Sequence, residues 1–361
     1  RQRQMCIRDR PAIRILFMAD THLGLDLPFR PRVQRRRRGE DFFANYRRAL
    51  AAARTQGVDA IIHGGDLFNR SRVPRQLVET VFDPLKAVAA SGIPVFIVPG
   101  NHERSMIPHS ELSLHPKLKV FTRPATFVIE KGCKALALSG FPFVRDSIRS
   151  RFKALVEATQ WRRTPADGHL LCMHQSVQGS TVGPADFTFN DGEEVIRARD
   201  IPRGFAAILS GHIHRFQVLR TNLRGTPLPA PVFYPGAIER VSFAERDERK
   251  GYLLLTIELD AAFHQPRVTW RFQPLPTRPM VLVRLRPAAM DHSAFNDHLR
   301  ASLTGLPTDA VVRLELMGRV PEAHRAGLSA NALRALASPS MTIETIWEDC
   351  RTESGHRQSR S

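Results

Sequence analysis

Five short segments carry side chains able to hold a metal ion: Asp20-Thr21-His22, Gly65-Asp66, Gly100-Asn101-His102, Met173-His174 and Gly211-His212-Ile213-His214. Asp20 and His22 are two apart, as are His212 and His214, and in extended chain that spacing puts both members of a pair on one face. Glycine before Asp66, Asn101 and His212 lets the backbone turn sharply and come close to a ligand. Together Asp20, His22, Asp66, Asn101, His174, His212 and His214 offer donors for two metal ions. Nitrogen and oxygen donors without thiolate suit Mn²⁺ first, and also Fe or Zn²⁺, rather than Ca²⁺. A bridging carboxylate would hold the two ions roughly 3.5–4 Å apart, the separation used for in-line displacement at phosphorus. Such a pair lowers the pKa of a shared water and neutralises phosphate oxygens. His102 would then be free to touch the reacting phosphate, as acid or as hydrogen-bond donor. His63 reads as a structural histidine, and His109, His115, His169, His264, His292, His298 and His324 have no patterned context.

The elements that must position these residues are legible from hydrophobic patterning. Ile13–Ala19, Val58–His63, Pro94–Val98, His169–His174 and Ala206–Gly211 are apolar runs that end in the polar segments, as buried strands do. Residues 40–56 and 74–90 have helical spacing between the first three strands, and Gly57 supplies a stop. This alternation predicts an α/β domain, whose ligands gather at the carboxyl ends of strands. Thr126–Ile129 and Ala135–Leu138 read as short strands, 147–161 as a helix, and Val232–Tyr234, Gly251–Glu258 and Val268–Phe272 as further strands. The Pro-rich stretch Gln273–Pro279 reads as a linker. Beyond it, strands at 280–285, 310–316 and 341–347 alternate with helices at 294–303 and 329–337, giving a second small domain over 279–349.

The chain has 361 residues and a formal charge of +18. Residues 1–12 and 350–361 read as unstructured, and the N-terminus as non-native. Discounting residues 1–10 and 350–361 still leaves a body near +13. Only seven of the 53 basic residues are Lys. Base composition of the gene accounts for that skew, but not for the excess of base over acid, which favours a polyanionic partner. No apolar run approaches the roughly 18 residues of a membrane span, and the four scattered cysteines make no disulfide framework. A reduced, cytoplasmic setting without membrane attachment is the expectation.

The five segments resemble the calcineurin-like metallophosphoesterases, whose pattern is D-x-H, G-D, G-N-H, H and G-H-x-H. The resemblance spans residues 13 to about 275. It implies an α/β (α+β) fold, a two-sheet sandwich flanked by helices. It also implies roles: Asp66 bridging the metals, Asp20, His22 and His214 completing one site, Asn101, His174 and His212 the other, and His102 as the catalytic histidine. His63–Ser71, Gly211–Val218, Tyr234–Glu245 and Pro274–Val281 resemble the SbcD-type DNA repair exonucleases, and 279–349 resembles that group's small α/β capping domain. The activity implied is that of a DNA nuclease, exonuclease or endonuclease, which hydrolyses phosphodiesters by a metal-activated hydroxide in repair or recombination. Arg35, Arg36, Arg37 and Arg38 fall in the loop after His22, where they would hold DNA phosphates or form a solvated loop.

Two departures stand out. The third residue after the bridging Asp is His or Asp in many relatives and sits near substrate; here it is Asn69, which carries no charge, so the balance of exonuclease and endonuclease activity is open. Relatives are homodimers that hold an SbcC-type coiled-coil ATPase through a C-terminal helical segment, which the polar stretch 350–361 does not resemble. Two competing expectations are a small-molecule phosphodiesterase or phosphatase of the same fold, and a non-catalytic DNA-end-binding subunit.

Overall fold

The structure is a computed structural model that describes residues 12–27, 37–260 and 266–348. Arg35, Arg36 and most of both terminal stretches lie outside these residues. The described residues group into two compact units, 12–26 with 41–276, and 27 and 37–40 with 277–348.

The first unit is built on two six-stranded sheets. In chain order its elements are β1 (Ala12–Met18), α1 (Arg38–Thr55, begun in the other unit), β2 (Ala60–His63), α2 (Arg75–Ala90), β3 (Val95–Ile97) and β4 (Leu118–Val120). Then come β5 (Ala125–Lys131), β6 (Lys134–Gly140), α3 (Ile148–Ala158), β7 (Gly168–His174) and four two-residue strands, β8 (Ser176–Val177), β9 (Thr181–Val182), β10 (Phe187–Thr188) and β11 (Val195–Ile196). The unit closes with β12 (Ala207–Gly211), β13 (Gln217–Thr221), β14 (Pro227–Tyr234), β15 (Gly251–Glu258) and β16 (Arg267–Pro274).

One sheet has the order β16-β15-β1-β2-β3-β4 and the other β13-β14-β12-β7-β6-β5. In each, the central neighbours β1-β2-β3-β4 and β6-β7-β12-β14 are parallel. β2, β3 and β12 are wholly buried, which is why they read as continuous apolar runs, whereas β4 at the sheet edge exposes Lys119. β16 instead alternates, burying Val268, Trp270 and Phe272 against the core while Arg267 and Arg271 face out. Ile13, Ile15 and Phe17 of the first sheet pack with Leu138, Leu170, Cys172, Leu209 and Phe233 of the second, forming the core between the layers. The outer side of the second sheet meets Phe152 and Val156 of α3. Tyr46 of α1 donates to the Val81 carbonyl of α2 at 2.9 Å, tying those two helices together.

The parallel strands bring Met18, His63 and Ile97 into one register row at their carboxyl ends, and His174 opposite Gly211 in the second sheet. Every metal-binding segment follows one of these ends. The α/β reading and the two-sheet sandwich are thus borne out.

The second unit consists of β17 (Met280–Leu285), α4 (His292–Thr304), β18 (Val311–Met317), α5 (Glu322–Arg325), α6 (Ala330–Leu336) and β19 (Thr342–Glu348). The three strands form one parallel sheet in sequence order. Val312, Leu314 and Leu316 point to one face and pack with Phe295, Leu299 and Leu303 of α4. The opposite face carries the ion pairs Arg284–Glu315 (2.9 Å) and Arg313–Glu344 (3.1 Å). The division between units falls at Pro276–Thr277, inside the stretch expected as a linker. Gln273 and Pro274 are strand rather than linker, because they pair with Tyr252 and Gly251 of β15.

Candidate metal centre

The left-handed backbone at Asp20 (φ 51°), His22 (φ 43°), Asp66 (φ 53°) and His212 (φ 84°) folds each segment back over its strand end. Such conformations cost non-glycine residues energy and persist where the surroundings hold them. Here they are held by Asp20 N–H donating to the Gly65 carbonyl (2.9 Å) and His22 N–H to the Asp66 carbonyl (3.0 Å). Two glycines have concrete reasons. Gly65 has φ 107°, and a β-carbon there would lie 2.1 Å from His174 Nδ1; at Gly100 it would lie 2.1 Å from Asp66 Oδ1.

Asp66 Oδ2 lies 3.4 Å from His174 Nε2 and 3.9 Å from the Nε2 atoms of both His22 and His102. Asp66 Oδ1 accepts from the His102 amide at 2.9 Å. Asp20, His22 and His214 bring one donor atom each within 4.8 Å of one another, and so do Asp20, Asp66 and His174. His22 Nε2 and His214 Nε2 are 3.0 Å apart. Asn101 Oδ1 is 2.9 Å from both His174 Nε2 and His212 Nδ1. The seven residues singled out from the sequence therefore meet in one place. His102 stands at its open side, 37% exposed, with Nδ1 2.8 Å from the Asn69 carbonyl. Asn69 thus enters through its backbone oxygen. Arg37 and Arg38 group by contact with the second unit.

This cluster fits cations. Asp20 Oδ2 and His22 Nδ1 are buried without a hydrogen-bond partner, and an ionised oxygen in that position needs a positive neighbour. Burial pushes the Asp20 carboxyl up and the His22 imidazole well down. Burial also pushes Asp66 up, but His174, His22 and His102 outweigh it and hold the carboxyl well below its usual range. Burial opposes charge on His174, yet Asp66 and Asp20 raise it to about 9. Burial, together with His174, drops His212 to about 3. Burial opposes charge on His214 too, but the Glu245 hydrogen bond raises it, so protons are favoured on two imidazoles and disfavoured on His22 and His212, whose lone pairs are left for a cation.

The outer contacts settle which ring nitrogen faces inward. His174 Nδ1 donates to the Gly64 carbonyl at 2.7 Å, which leaves Nε2 for the centre. His214 Nδ1 donates to Glu245 Oε1 at 2.9 Å. Glu245 in turn accepts from Lys250 Nζ (2.7 Å) and the Val241 amide (3.1 Å). Glu103 accepts from the Phe68 amide (2.6 Å) and the Gly100 amide (2.7 Å), joining two ligand loops. Sequence reasoning missed Glu103, Glu245 and Lys250. Glu103 had a signal in standing directly after His102, whereas Glu245 is 31 residues from His214, at the end of the short 3-10 turn Phe243–Glu245. His63 behaves as expected of a structural residue: it is fully buried, with Nε2 3.1 Å from Thr21 Oγ1 and Nδ1 accepting from the Gly65 amide at 3.3 Å.

Residues 13–216, more than half of the chain, match the model of the calcineurin-like phosphoesterases. The chain belongs to that family. Three curated relatives of this phosphoesterase are each named DNA double-strand break repair protein Mre11. The one from Aeropyrum pernix is 26% identical over 69% of this chain and 59% of its own length. That from Methanosarcina mazei is 28% identical over 85% and 45%, and that from Haloferax volcanii 30% over 84% and 61%. The chain spans about half the length of the curated relatives it matches.

Proposed function

We propose that this phosphoesterase is a DNA nuclease that hydrolyses phosphodiester bonds in repair. The observation that carries the reading is the convergence of Asp20, His22, Asp66, Asn101, His174, His212 and His214 from two sheets, with Asp66 Oδ2 at the middle. The relatives' names and the basic body support DNA as the substrate. Two divalent cations, Mn²⁺ before Fe or Zn²⁺, held by Asp20, His22 and His214 on one side and Asn101, His174 and His212 on the other with Asp66 between, would supply Lewis acidity toward the phosphate and lower the pKa of a water.

The chain's own residues do the rest. Asp66 stays ionised and draws the imidazoles inward. Glu245 and the Gly64 carbonyl take the Nδ1 protons of His214 and His174, so that both rings present Nε2. His102 donates Nδ1–H to the Asn69 carbonyl, and its Nε2, on the open side and 3.9 Å from Asp66 Oδ2, hands a proton to the leaving oxygen when the ring enters the step as imidazolium and leaves it neutral. The Asn69 side chain offers no charge there, and the balance of exonuclease and endonuclease cleavage is read from the linear and hairpin substrates below. A homodimer, an SbcC-type ATPase partner, a DNA-contacting role for 279–349 and a cytoplasmic location complete the proposal. Among the described residues no helix is long and apolar enough to cross a membrane.

The test is incubation with linear duplex, hairpin and single-stranded DNA, and with a cyclic nucleotide, in Mn²⁺ and in chelator. His102→Ala is expected to lose about 10²–10⁴-fold in cleavage while calorimetry shows metal still bound. Asp66→Ala is expected to lose both. Full cleavage in both variants would overturn the site, and faster turnover of the cyclic nucleotide than of any DNA would overturn the substrate.

A further inference from the structure

Away from the metal centre, the first unit contains a cleft of about 760 Å³ lined by Gln178, Asp191, Arg197, Arg199, Leu223 and Arg224 among others. None of these is a residue of the metal centre. The charge lining it is unbalanced. Asp191 is the acid in the lining, and Arg149 takes its carboxylate. Arg197, Arg199 and Arg224 have no carboxylate partner among the described residues. Other arginines of the same unit do: Arg215 pairs with Glu248 at 3.1 Å, and Arg75 with Glu111 at 2.8 Å.

The walls are built rather than loose. Gln178 donates to the Asn190 carbonyl at 3.0 Å and accepts from the Ala198 amide at 3.3 Å, bracing the loop that carries Arg197 and Arg199. Asn222 accepts from the amides of Arg224 (2.9 Å) and Thr226 (3.0 Å), fixing the β13–β14 turn with Arg224 near its tip. Leu223, 49% exposed, adds an apolar surface to the same lining. Three arginines in the lining of one cleft, with no carboxylate partner among the described residues, leave it an excess of positive charge, and a planar guanidinium fork suits phosphate oxygens. Pre-set walls lower the ordering cost of binding.

We infer that this cleft is a second phosphate site, which takes the sugar–phosphate backbone of a nucleic-acid strand through Arg197, Arg199 and Arg224. The choice of a strand over a free nucleotide rests on the nuclease reading above; the phosphate chemistry does not.

The experiment titrates fluorescein-labelled duplex DNA into the full chain by anisotropy in chelator, across a salt series. R197A/R199A/R224A is expected to bind about tenfold or more weakly, with a log–log salt slope shallower by about 2 to 3. The charge-matched control R123A/R163A/R267A, all exposed and outside the cleft, is expected to keep most of the wild-type slope. Thermal melts of both variants check the fold, and Arg224→Ala alone, at an exposed turn, is expected to show about one third of the change in slope. A triple variant with wild-type affinity and slope overturns the inference and leaves the nuclease reading standing, as does an equal loss in the control. Loss of deoxynucleoside monophosphate binding without loss of DNA binding overturns the strand assignment. A wild-type chain that binds no DNA overturns the nuclease reading and this inference with it.

Discussion

At the scale of single residues, the centre depends on groups that never face it. Glu245 accepts the His214 Nδ1 proton and is itself held by the fully buried Lys250. Burial raises the Glu245 carboxyl, but His214 and Lys250 overcome this and lower it to about 2. A folded-state value below the unfolded one stabilises above the unfolded pKa, and that stability is lost as pH falls through the folded value. In metal-free protein the contribution is therefore complete above about pH 4.5, is lost toward pH 2, and is on the order of 3 kcal/mol. Glu245→Gln should flatten the denaturant-derived stability profile over that window and weaken Mn²⁺ binding about 10–100-fold, the range for outer partners of metal ligands. An unchanged profile and an unchanged affinity would show that His214 needs no such support. The seven candidate ligand residues could be singled out because each lies at or just after the end of a short strand whose apolar run announces it. Glu245 was not, since a single hydrogen bond from a one-turn 3-10 segment to a distant loop leaves no periodic trace.

At the scale of elements, the same logic separates what could be read from what could not. Strands β2, β7 and β12 are covered on both sides and so were visible as apolar runs, while β1 is broken once, at the exposed Arg14. β14 was expected only at 232–234 but runs from Pro227. Pro227, Pro229 and Pro231 cannot donate to a ladder, and the early part of the strand pairs with β13 alone. The helix expected over 147–161 stops at Ala158, because Gln160 takes the left-handed conformation (φ 57°) before Trp161. Burial likewise ranks the elements by cost. Leu170→Ala in β7, fully buried between the sheets, should cost about 2–5 kcal/mol. Asp291→Ala removes only the cap that accepts from the Ala294 amide at 2.8 Å in α4, and should cost about 1 kcal/mol. Chemical denaturation of the two variants checks both figures, and a larger loss at Asp291 than at Leu170 would contradict the packing described above.

At the scale of the molecule, composition spoke to the partner and not to the reaction. A body near +13 points to a polyanion, but hydrolysis became legible only through five segments scattered over about two hundred residues. The division falls at Pro276–Thr277, within the proline-rich stretch, and the strands of the second unit pair in sequence order, which the alternating pattern by itself did not specify. Cations that bind only the folded first unit stabilise it by mass action, about 2.7 kcal/mol per site at a hundred times Kd. Mn²⁺ should therefore raise the Tm of the wild-type chain and leave that of Asp66→Ala unmoved. The candidate donors lie at the ends of β1, β2 and β3 in one sheet and of β7 and β12 in the other, so a bound ion would work as a clasp across the rim of the sandwich. Unfastened by chelator, that rim is where breathing should begin. Amide hydrogen exchange should quicken first around 99–103 and 211–214, long before the far ends of the same strands notice.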